Sequence, residues 1–381
     1  MKKIKITVTT GTRADYGILR PLLKKIENSK KLELILIVTG SHLSQEHGKT
    51  VKEIRKDGFK INAEINIIPQ KDDQYNTSIA IGKGIIEFAK CFKKFKPKLN
   101  LILGDRYEML ASAISAYHQN ILNIHIHGGD KSGGLDEYSR HAITKISNIH
   151  FTATKKSASR VIRMGEDPKY VIQTGSLAID EIMKKRITGI EEINKKHKLK
   201  LKGNEIIVLQ HSDTNEPQNA QKQILATLNV IRKTKHAAII IGPNIDTGNK
   251  EIIKTIHKFA KDDSIKFCSS LPREDFLGLL KNCKLLIGNS SSGMIEASVF
   301  KIPVINIGNR QKNREHGKNV INIKEFSEKK IEDAIKKALT IPKSKLEMTK
   351  IYGNGKSAEK IVNYLEKINV EERLFKKEIT Y

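Results

Sequence analysis

The sequence predicts an α/β protein of two domains, each a parallel sheet with helices on both faces. Three observations carry this. Short apolar runs alternate with segments of 3.6-residue periodicity along the chain, the runs are apolar on both faces as central parallel strands are, and the alternation restarts in the second half. A chain of 381 residues is too long for one ordinary core, so roughly two domains of 150–200 residues are expected.

In order, Ile4–Thr9 reads as a strand, followed by the turn Thr10-Gly11-Thr12-Arg13 and a helix over Tyr16–Asn28. Leu32–Val38 is a second strand and Thr50–Asp57 is helical. Ile81, Ile85, Phe88, Ala89 and Phe92 share a face of a helix over Ile79–Phe95, which stops before Pro97. Leu99–Leu103 and Ile121–Ile126 are strands flanking the helix Met109–Tyr117. Ser139–Ser147 and Ser157–Met164 are helices around the strand Ile149–Ala153, and Val171–Ser176 is the sixth strand. The first domain is placed at residues 1–175.

A Lys-rich helix, Ile179–Leu199, opens the second domain, residues 176–360. Strands follow at Ile206–Gln210, Ala237–Ile241, Ile265–Cys268, Lys284–Ile287 and Pro303–Ile307, the last clear strand. Helices are expected over Pro217–Thr234, Glu251–Ala260, from Pro272 onward, Met294–Phe300 and Lys329–Leu339. The helix Ala358–Lys367 and the charged end Glu371–Tyr381 make a third segment, residues 361–381, expected to pack back on the first domain.

The formal charge of +27 invites a nucleic-acid reading. The excess is spread, however, over every predicted helix, as at Lys24 and Lys25, Lys93 and Lys94, Lys155 and Lys156, and Lys336 and Lys337. No basic block is interleaved with aromatics, so this is a solvated surface and no nucleic-acid partner is expected. Cys91, Cys268 and Cys283 stand far apart without CxxC spacing, which disfavours disulfides and thiolate zinc and points to a reducing cytoplasm. No stretch approaches 18 apolar residues and Ile4–Val8 is too short for a signal core, so a soluble protein without membrane association is expected.

The chemistry concentrates in Leu99–His141, where Asp105, Arg106, Glu108, His125, His127, Asp130, Asp136 and Glu137 follow the ends of two apolar strands. Carboxyl groups held there with separated pKa values suit proton transfer at carbon, although Asp105 and Asp136 also fit as helix caps. His125-Ile-His127 has the spacing of a strand metal site, but no second His and carboxylate cluster matches it, so no metal is expected. Gly288-Asn289-Ser290-Ser291-Ser292-Gly293 follows a strand and opens a helix, as a diphosphate loop does, and equally as a Ser-capped turn does. Neither GxGxxG nor GxxxxGK[ST] occurs, so dinucleotide and P-loop readings lack their fingerprints. Glu296 suits a ribose or a helix dipole. Arg13 suits a phosphate, His211 a diphosphate or a plain strand cap, and the run Arg310, Lys312, Arg314, His316 an anionic substrate or an exposed loop.

Taken together, TGTRADYGILRPLLKKI, LILGDRYEMLA, HIHGGDKSGGLDEYSRHAITK, LQHSDT, GPNID, IGNSSSGMIEAS and PVINIGNRQKNREHGKNV resemble the hydrolysing UDP-N-acetylglucosamine 2-epimerases, in the branch serving sialic- and legionaminic-acid-like sugars. The resemblance is collinear over about residues 4–365. It implies a GT-B-like architecture, two Rossmann-type domains facing each other across a cleft, a homodimer, and no redox cofactor. The implied reaction eliminates UDP across C1 and C2 to a 2-acetamidoglucal, then adds water to release N-acetylmannosamine.

By the same resemblance Asp105 and Asp136 match catalytic carboxylates and His211 the histidine near the diphosphate. Arg13 and the loop Ser290, Ser291 and Ser292 match phosphate contacts, Glu296 the ribose ligand, and Asn244 and Asp246 nucleotide-side contacts, with Arg106, Gly293 and Arg314 among the substrate- and nucleotide-binding residues. Where many close relatives read HIEGGE this chain reads HIHGGD, which puts His127 at a catalytic Glu position and Asp130 in place of the next Glu. Histidine serves as acid or base near neutral pH, and the change bears on the sugar. UDP-2,4-diacetamido-2,4,6-trideoxyglucose is the alternative substrate, and a GT-B glycosyltransferase or a non-catalytic sugar-nucleotide sensor are the alternative classes.

Overall fold

The computed structural model describes every residue except 1–2, 46–47, 72, 185–186, 371–373 and 375. Its contacts divide the chain into two compact units, Met1–Asp130 with Asp136–Lys184 and Ile351–Tyr381, and Lys131–Leu135 with Lys185–Lys350.

The first unit holds seven strands: β1 (Ile4–Thr10), β2 (Leu32–Thr39), β3 (Ile61–Ile65), β4 (Leu99–Leu103), β5 (Leu122–Ile126), β6 (Ile149–Thr152) and β7 (Val171–Gln173). They form one sheet in the order β3-β2-β1-β4-β5-β6-β7 with every pair parallel. β4 and β5 are buried at every position, as strands covered on both faces must be. The helix Arg13–Glu27 lies against the helices Leu177–Lys184 and Ser357–Leu365, and Gln74–Phe95 against Tyr107–Tyr117. Asp180, fully buried, accepts the N–H groups of Ser357 and Ala358 at 2.9 and 2.7 Å, so one helix caps the start of another.

The second unit repeats the plan with β8 (Ile206–Leu209), β9 (Ala238–Ile241), β10 (Ile265–Cys268), β11 (Leu285–Gly288), β12 (Val304–Ile307) and β13 (Val320–Ile323). The order is β10-β9-β8-β11-β12-β13, again all parallel. In both sheets the order reverses beside the first strand, so each unit has a switch point, between β1 and β4 and between β8 and β11.

Several elements differ from the sequence reading. β3 and β13 were not expected; both are short edge strands with partly exposed residues, so neither carries the apolar signature of a central strand. The Lys-rich helix is two helices, Leu177–Lys184 and Ile190–His197, the second starting at the N-cap Gly189, while residues 185–186 lie outside the described residues. The helix expected over Met294–Phe300 is Ser291–Ile295, so Ser291, Ser292 and Gly293 belong to its first turn. Pro217–Asn219 is a 3₁₀ turn ahead of the helix Ala220–Lys233. Of the charged end, residues 371–373 and 375 lie outside the described residues.

Candidate functional site

In the first unit, β4 is followed by Gly104, which turns at φ +78° and delivers Asp105 to the carboxyl edge of the sheet. β5 ends one strand over, where His127 takes the left-handed conformation, φ +67°, seldom adopted by a side-chain-bearing residue. His127 therefore leaves the strand and does not share a face with His125. His125 is fully buried, its Nε2 2.8 Å from Gly104 O and its Nδ1 3.1 Å from Thr144 Oγ1, and burial lowers its pKa to about 3. It is a core histidine, and among the described residues no cluster of three or more His, Cys, Asp and Glu is arranged around a metal position.

Asp136 is the first residue of the helix Asp136–Lys145, and Arg140, one turn on, shares its face. Arg140 is 2% exposed; its guanidinium donates to Asp105 Oδ2 and, at 2.8 Å, to the carbonyl of Asp130. Burial disfavours that cation, but Asp105 and then Asp130 and Asp136 outweigh it and raise its pKa. Asp130 is itself buried and accepts from Ser157 Oγ at 2.7 Å. The buried guanidinium thus meets the carboxylate of Asp105 and the backbone carbonyl of Asp130, while Asp136, one helical turn before it, adds to the negative field. Sequence reasoning missed Arg140, whose one signal was its four-residue spacing from Asp136.

The turn after β1 is occupied from within. Asp15 accepts the N–H groups of Gly11 and Thr12 at 3.2 and 2.9 Å, and burial pushes its pKa up to about 6 against hydrogen bonds from Thr10 and Thr12. Arg13 donates its Nε to Glu53 at 2.9 Å, and Arg106 donates to Glu108 at 3.2 Å. Glu108 is fully buried, and a Cβ on Gly11 or Gly40 would meet its Oε1 at 3.1 or 2.5 Å.

In the second unit the corresponding turns gather His211, Asn244 and the serines. Asn289 brackets His211, accepting its N–H at 2.7 Å and donating to its carbonyl at 2.9 Å. His211 Nδ1 accepts the backbone N–H of Asn244 at 3.0 Å, which fixes the neutral tautomer with the proton on Nε2. β11 leaves through Gly288 at φ +142°, where a Cβ would fall 2.0 Å from Leu209 O. Ser290 caps the following helix, and the hydroxyls of Ser291 and Ser292 make no hydrogen bond among the described residues. Glu296, 2% exposed, is held by Arg273 at 2.7 and 3.0 Å, and Asp246 lies 3.8 Å from Arg310. Arg314 donates to the carbonyl of Lys131 at 3.2 Å. Arg273 was not named from sequence, and Asn289 only as a member of the 288–293 loop, because the partners of each, Glu296 and His211, are not its neighbours in the chain.

The family model described as UDP-N-acetylglucosamine 2-epimerase matches residues 24–366. The chain is 36% identical to a UDP-N,N'-diacetylbacillosamine 2-epimerase (hydrolyzing) of Legionella pneumophila, over 98% of both chains. It is 33% identical to a UDP-N-acetylglucosamine 2-epimerase of Neisseria meningitidis, over 96% of this chain and 95% of that one. The crystal structure of the Methanocaldococcus jannaschii UDP-GlcNAc 2-epimerase, in complex with UDP-GlcNAc and UDP, aligns with a TM-score of 0.79 at 21% identity over 95% of this chain and 99% of that one. That likeness identifies the fold as GT-B-like. The chain belongs to the UDP-N-acetylglucosamine 2-epimerase family and is an enzyme of the epimerase class.

Proposed function

We propose that this enzyme hydrolyses and epimerises a UDP-linked 2-acetamido sugar, with UDP-2,4-diacetamido-2,4,6-trideoxyglucose as substrate. Identity over nearly the whole length to the Legionella enzyme supports that sugar; the relative named for UDP-N-acetylglucosamine supports the plainer sugar as the second reading. The observation that carries the reaction is the buried Arg140 with Asp105, Asp130 and Asp136 around it. A guanidinium has donors only, so the Asp105 oxygen it meets is an acceptor, and Asp105 is assigned as the base that takes the C2 proton. The C2–H electron pair forms the C1–C2 double bond as the C1–O bond breaks and UDP departs.

His211, with its proton on Nε2, is assigned as donor to the departing diphosphate. Ser290, Ser291, Ser292 and Gly293, with Arg13, Arg106 and Arg314, are assigned to the phosphates, Glu296 to the ribose, and Asn244 and Asp246 to the nucleotide. Water then supplies hydroxyl to C1 and a proton to C2 of the glycal, with His127 and Asp136 as the proton-handling groups, while Asp130 anchors the glycine-rich turn through Ser157. Atoms balance as sugar nucleotide plus water giving free sugar plus UDP.

We assign the working form as a homodimer. Tyr75, Ile79 and Ile86 are exposed on the helix Gln74–Phe95, and a groove on the same helix is lined by Ile85, Ala89, Ile114 and His118 with Lys90 and Lys93 at its side; this face is assigned to a two-fold contact with a second copy. All three cysteines are thiols, and none of the described helices is long and apolar enough to cross a membrane; the supply of nucleotide sugars and these thiols favour the cytoplasm. The test is incubation with each sugar nucleotide in deuterated water. Release of UDP with a free sugar carrying deuterium at C2 is expected; no free sugar, transfer only to an added acceptor, or binding without turnover refutes the reading.

A further inference from the structure

A second charge cluster, centred on a buried carboxylate and flanked by partly exposed lysines, lies at the far end of the helix that carries Asp136 and Arg140. Glu166, 2% exposed, accepts from Lys145 Nζ at 2.8 Å, from His150 Nε2 at 2.9 Å and from Lys377 Nζ at 2.6 Å. Lys377 arrives from more than 200 residues away and turns the same ammonium onto the carbonyls of Lys145, Ser147 and Thr144, at 2.6, 2.8 and 3.3 Å. Its segment is fastened on both sides: Leu374 is buried in the core and its carbonyl accepts from Asn148 at 2.8 Å, and Thr380 N–H donates to Gly165 O at 3.3 Å.

Charge balance does not call for Lys377. Glu166 already faces Lys145, and His150 meets it as a donor in an environment where burial disfavours the imidazolium, against the pull of Glu166 itself. The additional cation finds its counter-charge in the terminal carbonyls of the helix Asp136–Lys145, which is the negative end of the helix dipole. Asp136, Arg140 and Thr144 are spaced by four on one face of that helix, and Thr144 Oγ1 donates to Arg140 O at 3.0 Å and meets His125 Nδ1 at 3.1 Å. The ammonium therefore ties down the turn from which this face is set.

We propose that Lys377 is a positioning residue for the sugar-side carboxylates: by closing the end of the helix Asp136–Lys145 it fixes Asp136 and Arg140, and through Arg140 it fixes Asp105. This rests on the reaction assigned above. Lys377 touches none of the reacting groups, so its removal acts on the rate of the chemical step and leaves binding of the nucleotide intact.

The test compares the unaltered enzyme with Lys377→Met and with Lys377→Cys before and after alkylation by 2-bromoethylamine, which restores an ammonium of nearly the same length; the unaltered enzyme treated alike is the control. Misplacement of a catalytic group by a fraction of an ångström is expected to lower kcat per folded molecule about tenfold or more in Lys377→Met. KM for the sugar nucleotide should stay within about twofold, amide exchange over residues 136–145 should rise, and alkylation of Lys377→Cys should restore both kcat and protection. A folded Lys377→Met with normal kcat and unchanged exchange overturns the proposal, as does a kcat loss that the restored ammonium fails to recover. If the unaltered enzyme turns over neither sugar nucleotide, the reaction reading is what fails, and exchange over residues 136–145 in Lys377→Met and in alkylated Lys377→Cys then decides the positioning claim alone.

Discussion

Replacing Arg140 with methionine removes the partner of the Asp105 carboxylate and of the Asp130 carbonyl while keeping most of its apolar stem. Its side chain is 2% exposed and that of Asp105 20% exposed. Breaking a fully buried ion pair by deleting one partner costs about 3–5 kcal/mol, and the carbonyl of Asp130 loses its donor as well. Because water reaches part of Asp105, the expected loss for Arg140→Met is about 2–4 kcal/mol. Asp105→Asn alone strands the cation and is also destabilising. The double variant should be milder than the sum of the two by about 1–3 kcal/mol, since neither charge is then left unpaired. Denaturant unfolding, read on the transition that carries the first unit, measures the cycle. Deuterium incorporation at C2 measures chemistry, and Arg140→Met should lower kcat about 10²- to 10³-fold, the usual effect of losing one preorganised charge. A coupling below about 0.5 kcal/mol together with near-normal kcat would refute the assignment.

Other consequences are open to simpler measurements. His211→Asn removes the Nε2 proton donor and should lower UDP release about 100-fold with little change in fold; retention of more than half the rate refutes its role. Burial lowers both His42 and His125 to about 3, so the unfolded chain binds more protons than the native one between pH 3 and roughly 6.5. Stability therefore falls as pH drops through that window, and His42→Gln and His125→Gln should each flatten the pH dependence of Tm by about one proton; an unchanged slope contradicts their burial as neutral rings. Gly288→Ala forces a methyl onto Leu209 O at φ +142°, which should cost about 2 kcal/mol or more and abolish UDP binding in calorimetry, whereas normal binding rejects the second unit's turn as the nucleotide site. The double change Ile79→Glu, Ile86→Glu should shift light-scattering mass from two chains to one, and a mass unchanged at two chains removes that face as the dimer contact.

How much of this was legible in the sequence follows from where signal resides. Central strands such as Leu99–Leu103 are apolar at almost every position because both faces are covered, so they read without ambiguity. Ile61–Ile65 and Val320–Ile323 lie at sheet edges, pair on one side only and expose part of their length, so their pattern resembles a loop. That Asp105, Asp136 and His211 lie beyond strand ends was legible because an α/β fold brings the residues after its strands to one edge. Arg140 was not, since its meaning lies in a carboxylate 35 residues away. The turn after β1 sends its N–H donors to Asp15, a capping geometry that composition does not display.

The two units also show how one topology places different side chains at equivalent positions. β4 and β11 hold the same place in their sheets and both exit through a glycine of positive φ, Gly104 and Gly288. The next residue is an acid in the first unit, Asp105, and its amide counterpart in the second, Asn289. The acid meets a buried guanidinium and is poised as an acceptor, while the amide spends both its groups on the backbone of His211 and holds that ring in place. The following strands repeat the comparison: β12 is left through Gly308 at φ +80°, but β5 through His127 at φ +67°. Glycine takes that conformation at little cost, whereas histidine carries about 1 kcal/mol or more of strain. A side chain held in that conformation where the sister unit uses glycine fits the proton-handling role proposed for His127, and His127→Gly, which relieves the strain, should leave the fold intact while lowering kcat if that role is correct.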